Sequence, residues 1–454
     1  MSALPARPCS GRPARPTRRN QRGAATLIIV MVLFFVVALT AAYTARNLVF
    51  EQRTAANQMR STQAFETAEA GAEWALALLG SGRIDAECRA LTAPTQPLPD
   101  SLRERHLLDP RTDAAIGVRP RADGGVLGAG CVLDTSGAQP TWRCSCPSDG
   151  LPALVASATT TGPAFRVRFV EVANRPGVVR VDVNGCTRLD ETCLAFPSQA
   201  IAGDSRIRVS VLAALKSGLA TPPSAAVTVQ GALRGAERLE AYNADAASGG
   251  LALHLGAGLD AAPAALAGPA GTPPDRAQLL ADAAMAALTP ERMFISVFGM
   301  WRRTWTEQPA TLRVDCNAGC TRATLAEAAL LNPGRMLWAD GDVVLDTSGA
   351  IGTPAAPVLL VVGGDLVVSP GADVRLHGLL HVVNADNAAE WRSDGRLSIV
   401  GALLSEGDWT LTGTGRTAVA YDAAVLQRLH SAHGSFVRVP GSWRDFERTA
   451  GALQ

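Results

Sequence analysis

Three observations place this chain in the α+β class. The expected architecture is a long N-terminal membrane-spanning helix packed on an antiparallel β-sheet, followed by a β-rich, solenoid-like C-terminal region. First, an uncharged run, Ala24–Thr44, continues without Gly or Pro as far as Gly71. Second, residues 164–235 alternate apolar and polar side chains with period two. Third, residues 335–421 carry short apolar runs that end in Gly-Asp or Gly-Ala turns. These signals divide the chain into a cytoplasmic leader (1–23), a membrane and N-terminal helix (24–80) and a disulfide-containing β domain (81–240). An Ala/Gly/Pro-rich connection with an aromatic segment (241–334) and a β-rich C-terminal domain (335–454) follow.

The leader holds six arginines and no acid. Such a segment stays cytoplasmic and sends the rest of the chain across the bilayer. The 21 residues of Ala24–Thr44 make about 31 Å of helix, enough to cross a hydrocarbon core. The run is longer than a secretory h-region, and Ala41-Ala42-Tyr43 is a poor small-x-small cleavage site. Two readings of the junction follow from the residues. It is a plain signal anchor, or it is cut after Gly23, leaving the helix on the mature chain. Beyond the run, Leu48, Ala55, Met59, Ala68, Ala72, Ala75 and Leu79 mostly recur at three- and four-residue steps. This alanine-rich stripe needs a globular domain to cover it, with Phe65 and Trp74 as anchors. It lacks the large heptad residues of a free coiled-coil stalk. Gly80-Ser81-Gly82 marks the helix end.

The formal charge is +1; with the leader arginines set aside, 36 basic residues face 41 acidic ones, a net of −5. No basic patch points to nucleic acid. Lys216 is the sole lysine, which we read as compositional bias. Cys9 lies in the leader; the other eight are Cys88, Cys131, Cys144, Cys146, Cys186, Cys193, Cys316 and Cys320. An even count in an exported chain suits disulfides. Cys186 with Cys193 and Cys316 with Cys320 are candidate local closures, while pairing among the first four is left open. Zinc is a lesser alternative, because no second paired motif at ribbon spacing and no nearby histidine is present.

Residues 83–150 read as a disulfide-pinned excursion. Strands are expected at Phe165–Val172, Val178–Val183 and Arg206–Val211, the first two joined by a turn at Asn174-Arg175-Pro176-Gly177. One apolar face of that sheet would cover the helix. Ala261–Pro274 reads as a flexible connection and Asp275–Leu288 as a short helix. Phe294, Phe298, Trp301 and Trp305 are read as core ahead of a sugar or partner site. Runs at Met336–Leu345, Pro357–Val368, His377–Val383 and Leu397–Leu404 suggest a small solenoid or stacked sheet.

Catalytic candidates are Asp340, Asp342, Asp346 and Asp365 on the turns, with His377 and His381 four apart on one strand face. Parallel β-helix hydrolases and lyases place carboxylates on neighbouring coils, but Gly-Asp is also ordinary turn chemistry. Asn384-Ala385-Asp386-Asn387 is a calcium candidate without EF-hand spacing. No nucleophile elbow, phosphate loop or dinucleotide fingerprint occurs. No catalytic residue, cofactor or metal is therefore assigned, and the chain is read as a non-enzyme.

Two motifs carry a family resemblance. Gln21-Arg22-Gly23-Ala24-Ala25-Thr26-Leu27-Ile28 resembles the class III leader of type IV prepilins. Gln63-Ala64-Phe65-Glu66-Thr67-Ala68-Glu69-Ala70-Gly71-Ala72-Glu73 is similar to the AF-x-x-AEAG signature of PilX-type minor pilins. The resemblance covers roughly residues 20–80. Tyr421-Asp422-Ala423-Ala424-Val425-Leu426 is similar to the YD-x-x-VL close of larger PilX-like proteins. The resemblance implies cleavage between Gly23 and Ala24 by a prepilin peptidase and N-methylation of Ala24. It implies an inner-membrane, single-pass chain with a periplasmic C-terminus that later joins a pilus. The implied partners are other minor and major pilins, the inner-membrane assembly platform and a tip adhesin. The implied function is to prime or cap pilus assembly through the helix, with the ectodomain as a tip surface for adhesion. The chain departs from most major pilins at the fifth mature position, where Ile28 replaces a glutamate. A K-type pseudopilin of type II secretion shares that departure and the large size. A membrane-anchored periplasmic β-helix carbohydrate enzyme is the third reading.

Overall fold

The computed structural model describes residues 22–107, 117–119, 127–155, 162–197, 205–384 and 390–445. The chain forms two compact units that divide after Arg60. Helix α1 runs unbroken over Arg22–Leu79. The fold is α+β: a long apolar helix, an antiparallel sheet and a β-rich C-terminal region.

In the second unit the sheet comprises β1 (Ala129–Asp134), β2 (Thr141–Ser145), β3 (Ala164–Glu171), β4 (Val178–Cys186) and β5 (Arg206–Ser217). The C-terminal strand Gly434–Arg438 joins β5, giving the order β2-β1-β3-β4-β5 and then this last strand, all antiparallel. Strands β3 and β4 are linked by the turn with Asn174 at φ 58° and Gly177 at φ 76°, conformations suited to Asn and Gly. Every second residue faces inward: Phe165, Val167, Phe169, Val179, Val181, Val183, Val209, Val211 and Ala213 form one core with Ala68, Ala72, Ala75 and Leu79 of α1. The Cys88–Cys146 disulfide ties the segment after α1 to the end of β2, and Cys131–Cys144 links β1 to β2 across register partners. A third, Cys186–Cys193, holds α3 (Glu191–Leu194) on its outer face.

Helix α2 (Leu102–His106) opens with a capping box in which Ser101 and Glu104 satisfy each other's backbone donors. It places Arg103 in the interior, where the guanidinium donates to the carbonyls of Leu79, Gly334, Ala432 and Gly434. Burial holds this arginine down to about 10. The end of α1 is thereby tied to the turn at Gly334 and to the C-terminal end of the segment between β5 and the C-terminal strand.

That segment is a parallel β-solenoid with three faces: A, the ladder through Val227–Val229 and Leu403–Ser405; B, through Leu233–Arg234 and Trp409–Thr410; and C, through Leu239–Tyr242 and Thr417–Ala420. In chain order, coil 1 is Val227–Val229, Leu233–Arg234 and Leu239–Tyr242; coil 2 is Leu253–Leu255 and Ala265–Ala267; coil 3 is Gln278–Leu279 alone. Ala261–Pro274, expected as a connection, thus carries the coil 2 strand that pairs with Glu240–Tyr242. The chain then leaves the stack through α4 (Ala283–Ala286), α5 (Pro290–Phe298) and α6 (Arg302–Thr306). It re-enters at coil 4 (Thr311–Thr321), bends into α7 (Arg322–Leu331), and forms coil 5 (Met336–Leu345, Gly349–Ile351). Coil 6 is Val358–Val362, Leu366–Val368 and the first half of Asp373–Val382. Coil 7 takes the second half of that strand, Trp391–Ser393 and the start of Arg396–Ser405. Coil 8 takes the rest, Trp409–Thr412 and Arg416–Tyr421, before α8 (Ala423–Ala432). Coil 4 is closed locally by the Cys316–Cys320 disulfide.

The order in space is not the order in sequence. Coils 4 to 8 stack consecutively, coil 8 pairs with coil 1, and coils 2 and 3 follow. First and last coils are therefore neighbours. A simple solenoid would carry its ends far apart; this one brings them together, and Ser217 pairs directly with Gly434 at the root. The insertion between two adjacent strands of the antiparallel sheet follows from that permutation.

Face A strands are apolar on both sides. Leu337, Ala339, Leu360, Val362, Leu380 and Leu403 fill the interior. Met336, Trp338, Leu359, Val361, Leu379, Ala402 and Leu404 lie under α5, α6 and α8. Double burial explains the near-continuous apolar runs. Helix α7 closes the coil 4 end, with Leu325 in the interior cluster.

Candidate assembly site on the first helix

The leader up to Gln21 lies outside the described residues. Helix α1 opens at Arg22, so the Gly23–Ala24 bond lies in its first turn. From Leu27 to Leu39 the large apolar side chains, Ile28, Phe34 and Phe35 among them, are exposed. The helix is long and apolar enough to cross a membrane. The Thr40 and Thr44 hydroxyls are satisfied internally: Thr40 donates to Val36 and Val37 carbonyls, and Thr44 to those of Thr40 and Ala41. A hydroxyl bonded back to its own helix needs no water, which suits a hydrocarbon surrounding.

Further along, small residues meet the sheet. Ala64, Ala68, Gly71 and Ala72 are buried, while Glu66, Glu69 and Glu73 are exposed. A methyl on Gly185 of β4 would sit 2.4 Å from the Ala64 carbonyl and 2.5 Å from the Ala68 nitrogen. One on Gly71 would sit 2.7 Å from Val183 and 2.8 Å from Phe165. The signature residues thus let helix and sheet approach at backbone distance. Phe65 packs edge-on against Trp443, and Trp74 against Phe165. The stripe expected from the sequence is covered from Ala64 onward; Leu48 and Met59 are exposed.

Two of the four acids on the coil turns bind backbone. Asp342 Oδ1 accepts the Asp365 N–H at 2.9 Å, and Asp365 Oδ1 accepts the Glu390 N–H at 2.8 Å. Asp340 pairs with Arg313, and Asp346 is exposed. Asp342 and Asp365 are thus turn caps on successive coils. His377 is half-buried, and burial together with Arg375 lowers its pKa. His381 is fully buried and faces α5, not His377. Its partner Glu406 left no signal in the sequence: His381 Nε2–H donates to Glu406 Oε1 at 3.0 Å, and Arg302 Nη2 donates to the same carboxylate at 2.7 and 2.8 Å. Phe294, Phe298 and Trp305 are core, whereas Trp301 is 61% exposed. Among the described residues no three His, Cys, Asp or Glu side chains are placed to hold a metal. Of the calcium candidate, residues 385–387 lie outside the described residues.

Residues 22–73 match the PilX N-terminal family model. The PilX match spans the uncharged helix and the small-residue face together, beginning one residue before Gly23 and ending at Glu73. No curated protein sequence matches the chain. Among solved structures, the competence-associated pilin ComZ from Thermus thermophilus aligns over 86% of this chain and 97% of its own, at 10% identity. Its TM-score of 0.17 carries no argument. The likeness to the PilX N-terminal family is thus confined to the first helix.

Proposed function

We propose that this chain is a PilX-like minor pilin that primes or caps type IV pilus assembly. The observation that carries the reading is the continuity of α1: one helix holds both the uncharged run and the small-residue face, and the PilX match covers both. The basic leader supports a cytoplasmic start, and the disulfides support an oxidising destination for the ectodomain. In this reading a prepilin peptidase cuts between Gly23 and Ala24 and methylates Ala24. The helix then waits in the inner membrane until it packs among other minor and major pilins.

Ile28 supports a terminal position. A carboxylate in a membrane helix is costly unless paired. By resemblance, the pilin glutamate meets the amino terminus of a neighbouring subunit; a chain without it lacks that pairing and suits the tip. The ectodomain then serves as the surface for an adhesin or another partner. Mass spectrometry of the mature N-terminus tests the class: a chain beginning at methylated Ala24 is expected. Replacing Gly23 with a bulkier residue leaves the leader attached; normal processing of that variant would sink the proposal. Labelled subunits spaced along the filament shaft would reject the tip position. Loss of type II secretion, with pili intact, on deletion would select the pseudopilin reading.

A further inference from the structure

The solenoid has one junction that no chain connection crosses directly. Coil 8 lies on coil 1 through Leu403–Ser405 with Val227–Val229, Trp409–Thr410 with Leu233–Arg234, and Thr417–Ala420 with Leu239–Tyr242. Within the stack, the only covalent route from coils 1–3 to coils 4–8 is the strap that carries α4, α5 and α6. That strap lies against face A and is gripped from both sides of the seam. From coil 1, Gln230 Nε2 donates to the Leu288 carbonyl, while its Oε1 accepts the Gly407 N–H of coil 8 at 3.1 Å. From coil 8, Glu406 is fully buried and accepts both bonds from Arg302. Arg302 is itself seated: its backbone N–H donates to Glu291 Oε1 at 2.8 Å, and its guanidinium lies 5.3 Å from the Phe294 ring centre. His381 of coil 7 completes the group, bonded to Glu406 and packed edge-on against Phe294 and Phe298.

A buried carboxylate is tolerated only when charge and hydrogen bonds compensate it. For Glu406 the cationic compensation comes from the strap. We infer that Arg302, Glu406 and His381 form a latch that holds the strap down and the seam shut. With the strap seated, the two sub-stacks act as one. With it lifted, Glu406 loses its guanidinium and keeps only His381, beside the apolar Trp338, Val361 and Leu404, and coils 1–3 part from coils 4–8. Each sub-stack keeps its own consecutive pairings. Opening at the seam therefore needs less than global unfolding.

Hydrogen exchange of the full-length chain in detergent tests the latch. In Arg302→Ala, amides of Val227–Val229, Leu403–Ser405 and the strap should exchange at least tenfold faster. Those of Ala164–Glu171 in the antiparallel sheet and Val358–Val362 within the second sub-stack should stay within about twofold. A disulfide across the seam, from Arg234→Cys with Thr410→Cys, should restore protection to the Arg302→Ala chain; these positions are register partners on adjacent strands. If Arg302→Ala gives no folded protein, Glu406→Gln, which conserves volume, is read in the same way. Unchanged exchange at the seam, or an equal rise in all five segments, would overturn the inference.

Discussion

In the antiparallel sheet every second residue faces α1 and the residue between faces α3 or solvent, whereas the face A strands of the solenoid are apolar on both sides. The first arrangement is stabilised between neighbours in sequence: β3, β4 and β5 pair in chain order. The second depends on partners that the chain delivers late, because coil 1 is completed by coil 8. The contrast teaches that a sheet with one covered face can be specified locally, while a permuted stack needs devices that act at a distance. The strap, the Arg103 cage and the turn-capping acids are those devices here.

The largest test of this contrast is the pair of disulfides at opposite extremes of loop size. Cys88–Cys146 closes a separation of 58 residues and Cys316–Cys320 one of 4. Loop entropy assigns about 4 kcal/mol to the first and about 2 to the second. Denaturant unfolding of the two double Cys→Ser variants should reproduce that order. An inverted order would mean that the solenoid, not the sheet, depends on its covalent staple.

Glycine substitutions come next. Gly378 bends the strand between faces C and A at φ 148°, and a methyl there would lie 1.9 Å from the Val358 carbonyl. Gly378→Ala should cost about 3 kcal/mol, and Gly185→Ala, which pushes α1 off the sheet, about 2. Equal melting temperatures for these two variants and the parent would break the close-approach argument in both regions.

Acid should weaken both regions together. Burial and the nearby Arg105 push His106 down to about 3, and burial and Arg103 push His433 down to about 4. Each stays neutral in the fold, while the unfolded chain takes up a proton near 6.5. Between about 6.5 and about 4 the unfolded state binds more protons, so stability falls as pH falls, by about 1.4 kcal/mol per pH unit for each group. His433→Gln should flatten that slope; an unaltered slope would show that His433 titrates alike in both states. The smallest effect belongs to the exposed Arg303–Glu307 pair on α6. Glu307→Gln should change stability by less than about 0.5 kcal/mol.

The elements legible in the sequence were those whose burial pattern is local. Alternation marked β3, β4 and β5, and Asn174 to Gly177 marked their turn. The uncharged run and the alanine stripe marked α1. Apolar runs at Met336–Leu345 and Pro357–Val368 marked coils 5 and 6 because both their faces are covered. Coils 1–3 left little signal: Val227–Val229 is three residues long, and its partner lies 176 residues away at Leu403. Arg302 and Glu406 left no signal, since nothing near them in sequence reveals that the two meet. The joining of Cys88 to Cys146 depends on where the excursion returns, which spacing alone does not encode.

The placement of coil 8 beside coil 1 bears on how the protein is made. Synthesis delivers coils 1–3 first, with the edge of Val227–Val229 unpaired until residue 403 has followed. An apolar strand edge left open for that interval is a template for the wrong neighbour. The nascent solenoid therefore has a built-in waiting period, in which a holding chaperone would matter more than speed of synthesis.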